Sequence, residues 1–216
     1  MCGKVALAQS YAVAYDKRMH TIDYVPLDAE AVRTSIELVS TATTADLSKP
    51  TPCRAWTLYG LLAHMATQHY GFAAASRGES DPALWKVRDL GEDPVKAYVS
   101  AAEHVLDAFA EPGVADRTFP LVEFGADFPG GQAISFHFID YVVHSWDVAK
   151  SLGRTVTFAP ATLEAAQAVA QVVPTGEVRL APGTPFAPDV PWSGDNPLDQ
   201  IVAHLGRNPA WPDHAM

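Results

Sequence analysis

The sequence has little with which to cross-link itself: 216 residues contain two cysteines, Cys2 and Cys53. That excludes a disulfide framework and fits a reducing compartment. No apolar run approaches the roughly 20 residues of a membrane span, so no membrane partner is expected. Basic residues are scarce too: 15 Lys and Arg stand against 25 Asp and Glu, a formal charge of −10 with no basic cluster. A phosphate backbone would be repelled, and nucleic acid is not an expected partner. Also missing are a G-x-S-x-G elbow, a G-x-G-x-x-G after a strand, a P-loop and a Cys pair at zinc-finger spacing. The first twenty residues carry an apolar stretch broken by Gln9, Ser10 and Tyr11. They make a poor export signal and read as a tail of a cytoplasmic protein, with Met19 as an alternative start.

What is present is helical periodicity. Asp28 is placed to cap a helix to about Ala42, with Val32, Ile36 and Val39 as its apolar stripe. Thr57 caps a second, to about Ser76, whose apolar face of Leu58, Leu61, Leu62 and Met65 includes His64. Asp93-Pro94 opens a third, with Val95, Tyr98, Val99, Ala102, Val105, Leu106 and Phe109 before Gly113. A loop or short hairpin over 114–131 leads to a fourth helix ending at Gly153. The expected fold is all-α: a tail over 1–27, a four-helix bundle over 28–153, and a small α/β or helical extension over 154–216. The extension holds an Ala-rich helix near 162–173, a Pro-rich stretch with room for short strands, and a last helix opened by Asn196-Pro197. A chain of this length builds its core without a metal staple, so any metal site is optional for folding.

The stretch FHFIDYVVHSWDVAKSLG, 136–153, concentrates the chemistry. At helical spacing His137, Asp140 and His144 share one stripe among residues suited to burial, and such groups enter a core only with partners. Asp140 and His144, four apart, can close on one metal ion. His64 on the facing helix is the natural third donor. Alone, the D-x-x-x-H spacing equally describes a structural hydrogen bond. His137 is a fourth donor, a support for a ligand, a group facing the pocket, or a structural histidine. Asp147 is read as binding a backbone group or orienting a neighbour rather than a metal, and His69 and His104 as solvent-facing or peripheral. Cys53, just before a helix start, is either a stabilised thiolate or a buried, inert cysteine. Trp85, Phe119, Phe124 and Phe128 fall in the two long loops and are expected to shape an apolar substrate pocket.

Three separated stretches carry a resemblance: Thr51-Pro-Cys-Arg-Ala-Trp-Thr57 with Leu61-Leu-Ala-His64, then Asp140-Tyr-Val-Val-His144-Ser-Trp-Asp147, then His204-Leu-Gly-Arg-Asn-Pro-Ala-Trp211. Together they resemble the actinobacterial branch of the DinB-like metalloprotein superfamily, related to the mycothiol-dependent maleylpyruvate isomerases. The resemblance implies a DinB-type bundle holding a divalent metal, usually zinc, on His64, Asp140 and His144. It departs from the isomerases in having Asp140 where they have Glu, one methylene shorter. It also implies mycothiol or a similar small thiol as cosubstrate, held as thiolate on the metal for S-transfer or double-bond isomerisation of a small electrophile. No protein cysteine is needed for that, and His137 is the first candidate for proton transfer. The same donor set also suits Fe(II) oxygen chemistry, a hydrolytic zinc site, or ligand binding without catalysis. Broad helix faces of such bundles leave a homodimer open.

Overall fold

Asp23, rather than Asp28, starts the first helix. Its carboxylate accepts from the Val25 amide at 3.1 Å, and α1 runs Tyr24–Val39. Pro26 is tolerated because the first turn leaves its amides unbonded anyway. Asp28 therefore lies inside the helix, almost wholly buried. In this computed structural model residues 21–53, 56–180 and 186–212 are described; Met19, Cys2 and the rest of 1–20 of the expected tail lie outside them, while its last residues, 24–27, already form the first turn of α1.

Three more helices complete a bundle. α2 spans Leu58–Ser76 with Thr57 as N-cap, and α3 spans Pro94–Phe109 with Asp93 as N-cap. α4 spans Gly130–Ser151. α1 packs chiefly on α4, and α2 on α3. Between α3 and α4 lies an antiparallel hairpin, β1 (Thr118–Leu121) and β2 (Ala126–Pro129), with Phe119 opposite Phe128. α4 begins six residues before the expected stretch because Gly130 lets the chain pass close to the turn at 114–117; a Cβ there would strike the Val114 carbonyl. At its other end Gly153 takes the left-handed conformation, φ 68°, that stops a helix.

The extension is helical among the described residues. α5 (Pro160–Gln171) and α6 (Pro197–His204, capped by Asn196) pack on each other, and α5 also on α4. The expected short strands in the Pro-rich stretch are replaced, where it is described, by a 3-10 turn at Gly176–Leu180. No described helix is long and apolar enough to cross a membrane.

A chain of hydrogen bonds crosses the core and touches every bundle helix. Asp28 Oδ1 of α1 lies 2.6 Å from His137 Nδ1 of α4, and His137 Nε2 lies 3.2 Å from His69 Nδ1 of α2. His69 Nε2 lies 3.4 Å from the Tyr98 hydroxyl of α3, which is 2.6 Å from Ser35 Oγ, back on α1. Ser35 gives its proton to the Val32 carbonyl at 2.6 Å. Tyr98 must then donate to Ser35, His69 Nε2 to Tyr98, and His137 Nε2 to His69 Nδ1. Burial, and next the adjacent His137, hold the His69 pKa well below its usual value, which suits a neutral ring accepting at Nδ1. Burial raises the Asp28 pKa against the opposing pull of His137. His69, expected at the periphery, is thus wholly buried, and Tyr141 stacks on it at 4.0 Å.

His137→Phe should cost about 3 kcal/mol or more, because it strands a buried carboxyl whose Oδ2 already lacks a partner among the described residues. Adding Asp28→Leu should recover about 1 kcal/mol or more, since the apolar pair strands no carboxyl. Urea unfolding measures both, and a double variant no more stable than the single would contradict the buried-pair account.

Candidate metal centre

Two helices bring three donors together. His64 projects from α2, Asp140 and His144 from successive turns of α4, and one ligand atom of each lies within 4.8 Å of the others. His144 Nε2 and Asp140 Oδ1 are 3.3 Å apart. Donors of a tetrahedral ion with bonds of about 2.1 Å are separated by about 3.4 Å, so this pair already has the spacing of two ligands. The imidazoles of His64 and His144 meet nearly at right angles, 81°, with centroids 5.4 Å apart. His144 is buried, whereas His64 and Asp140 keep partial exposure, leaving the cluster open on one side.

The groups behind the donors fix how they point. His144 Nδ1 donates to Asp147 Oδ2 at 2.9 Å, which leaves Nε2 as the nitrogen facing Asp140 and His64. Asp147 orients its neighbour, as expected from its spacing. The Trp56 ring stacks on His64 at 4.5 Å and 24° and reaches within 6.4 Å of His144. The donor set therefore fits a borderline divalent ion: two imidazoles and one carboxylate, an open side, and a carboxylate–histidine support behind one ligand.

Electrostatics separate the two imidazoles. Burial and the neighbouring His144 lower the His64 pKa to about 4, against the pull of Asp140. Burial would also lower that of His144, but Asp140 and Asp147 outweigh it and raise it to about 9. For Asp140, burial is likewise outweighed, by His144, His64 and Arg207, and the carboxyl is held below its usual range. Asp147 is lowered in the same way, chiefly by Arg207.

The remaining expected site residues lie elsewhere. His137 has no exposed surface, and both its nitrogens face partners in the core chain, so proton transfer to a bound substrate does not fit its position. Trp85 covers Gly71 and meets Phe72 edge-on at 5.3 Å. Phe119 packs on Phe109, and Phe124 and Phe128 on Phe136. These rings pack on the bundle: Trp85 against α2, Phe119 against α3, and Phe124 and Phe128 against the early turns of α4. The ring that does flank the donors is Trp56. Its signal was its place in the same short motif as His64. Arg207, whose guanidinium reaches Asp147, was signalled only by the Leu-Gly-Arg motif.

Residues 29–149, which contain all three donors, match the family described as the mycothiol maleylpyruvate isomerase N-terminal domain. Two uncharacterized proteins of Mycobacterium tuberculosis, from strains CDC 1551 / Oshkosh and H37Rv, are each 32% identical over 162 residues, 74% of this chain and 85% of theirs. No solved structure matches the chain significantly.

Zinc binding at neutral pH should displace a proton from His144 and none from His64. With His144 titrating near 9 and His64 near 4, apparent affinity should rise about tenfold per pH unit between about pH 5 and 8, with about one proton released per ion. Calorimetry at pH 7 in buffers of different ionisation enthalpy counts that proton. A count near zero would contradict the raised His144.

Proposed function

The chain belongs to the mycothiol maleylpyruvate isomerase N-terminal domain family, and from that membership and the donor cluster we propose that it is a divalent-metal-dependent thiol transferase or isomerase. The observation that carries the reading is the convergence of His64, Asp140 and His144 within 4.8 Å on a partly open face. A zinc or similar ion held there by three protein donors would supply a site where a thiol loses its proton at neutral pH.

The chain's own residues have separate tasks. His144 presents Nε2 because Asp147 occupies Nδ1. Asp140 brings a carboxylate and so leaves a net single positive charge on a divalent centre, enough to favour a thiolate over a neutral thiol. Trp56 walls the His64 side with an aromatic face. The cosubstrate is mycothiol or a thiol of similar size, and its sulfur adds to an electrophilic carbon of a small molecule. In S-transfer the new C–S bond remains: the carbon's π bond opens and its electron pair takes up a proton from solvent, or a leaving group departs with the electron pair of its own bond to that carbon. In isomerisation the addition turns the carbon–carbon double bond into a single bond, which rotates; the C–S bond then breaks, the double bond re-forms, and the thiol is returned unchanged. Neither route consumes a protein cysteine, in keeping with a chain that has only Cys2 and Cys53.

Protein purified without a metal-affinity step should contain about one zinc per chain by elemental analysis, and His64→Ala and His144→Ala should each abolish it. The wild type should then consume an electrophile only when mycothiol is added, with the variants reduced by at least about 100-fold. No zinc in the wild type after incubation with the ion would overturn the metal reading. Turnover without thiol would instead favour a hydrolytic or oxidative use of the same donors.

A further inference from the structure

The extension reaches the donor cluster through one side chain. After α6, Gly206 adopts a left-handed φ of 85° beneath Ala187, whose carbonyl would lie 2.6 Å from any Cβ placed there. This turn aims the next side chain inward, and the Arg207 amide bonds the Val202 carbonyl at 2.8 Å. Only 8% of Arg207 is exposed. Its Nη1 donates to the Leu205 carbonyl at 3.0 Å and its Nη2 to Asp147 Oδ2 at 3.3 Å, across 60 residues of sequence. The surrounding segment is held independently: Lys150 Nζ donates to the Pro209 carbonyl at 2.9 Å, and Arg179 donates to the carbonyls of Pro174 and His204.

Asp147 Oδ2 thus takes two donors, the His144 ring and the Arg207 guanidinium, while Oδ1 has none among the described residues. A carboxylate held through one oxygen by one donor can swing about that bond. A second donor on the same oxygen, fixed by a planar fork whose other arm grips a backbone carbonyl, removes the freedom. The orientation of the His144 ring therefore depends on a residue outside the 29–149 match.

We propose that Arg207 is a positioning residue of the metal centre, acting through Asp147 to hold His144 Nε2 toward Asp140 and His64, so that the C-terminal segment sets the metal affinity of the bundle. This rests on the reading that the cluster holds an ion. Arg207 touches neither ion nor substrate in this role.

The test uses the full chain. Zinc affinity is measured by competition with a chromophoric chelator, and ligand geometry by the visible spectrum of the cobalt-loaded protein. The variants are Arg207→Met, Arg207→Lys, Asp147→Asn, the double Arg207→Met/Asp147→Asn, and Lys150→Ala. Arg207→Met and Asp147→Asn should each lose about 10–100-fold in affinity, and the double should lose no more than the worse single, because both act on one orientation. Arg207→Lys, which keeps the charge but not the fork, should fall between. Lys150→Ala, which removes another tie of the same segment, should bind as the wild type does.

Wild-type affinity and spectrum in Arg207→Met, or losses that multiply in the double, would overturn the proposal. So would a loss in Lys150→Ala as large as that in Arg207→Met, because the segment would then matter only as a whole. If Arg207→Met does not fold, Arg207→Lys decides: unchanged affinity overturns the role, and a weaker, spectrally altered site supports it. A wild type that takes up no zinc fails the metal reading itself, before any variant is compared.

Discussion

Polar side chains in a dry core must find one another, and the chain from Asp28 through His137, His69 and Tyr98 to Ser35 is where this bundle meets that requirement. Apolar packing alone tolerates sliding of one helix along another. Hydrogen bonds with fixed directions do not, and here they link α1, α2, α3 and α4 in one register. His69 lies five residues after His64 on α2, and His137 three before Asp140 on α4. The bond between those two histidines therefore fixes where the candidate donors His64 and Asp140 stand relative to one another. The core chain and the donor cluster are two ends of the same constraint.

α4 carries two chemical environments on one polar stripe. At His137 the surroundings are Phe72, Phe109 and Tyr141, and the imidazole serves only its neighbours in the core. Two turns later, at His144, the stripe meets a carboxylate on either side and a partly open face. Residue types and spacing are alike in the two places. What differs is which elements cover them: α1, α2 and α3 close over the first, while a half-buried Trp56 and the C-terminal segment flank the second.

On the proposed role of Arg207, that segment tunes the bundle's candidate site from outside the bundle. The donors all fall within the family-matched part of the chain, yet Asp147 shares its one bonded oxygen with Arg207, delivered by the turn after α6. A buried guanidinium requires a carboxylate partner, and a buried carboxylate behind a histidine needs to be fixed. Each supplies what the other lacks, and on the proposed role of Arg207 docking of the extension is coupled to ordering of the donor set.

The helices were legible because their apolar residues recur at three and four and their caps are explicit: Thr57, Asp93 and Asn196 all cap as their side chains suggest. The i, i+4 spacing of Asp140 and His144 places them on one face by backbone geometry alone. Asp28 was misread as a cap because an acidic residue before an apolar stripe has the same local signal whether it ends a helix or pairs inside one. His69 reads as peripheral, and His137 as a candidate for proton transfer, for the same reason. Whether a polar residue is buried depends on a partner 109 residues away for Asp28 and His137, 68 for His137 and His69, and 60 for Asp147 and Arg207. Local sequence thus determined which residues form helices and which could donate to a metal. Only the tertiary structure decided which of them meet, because hydrogen bonds and burial are properties of pairs that the chain brings together by folding.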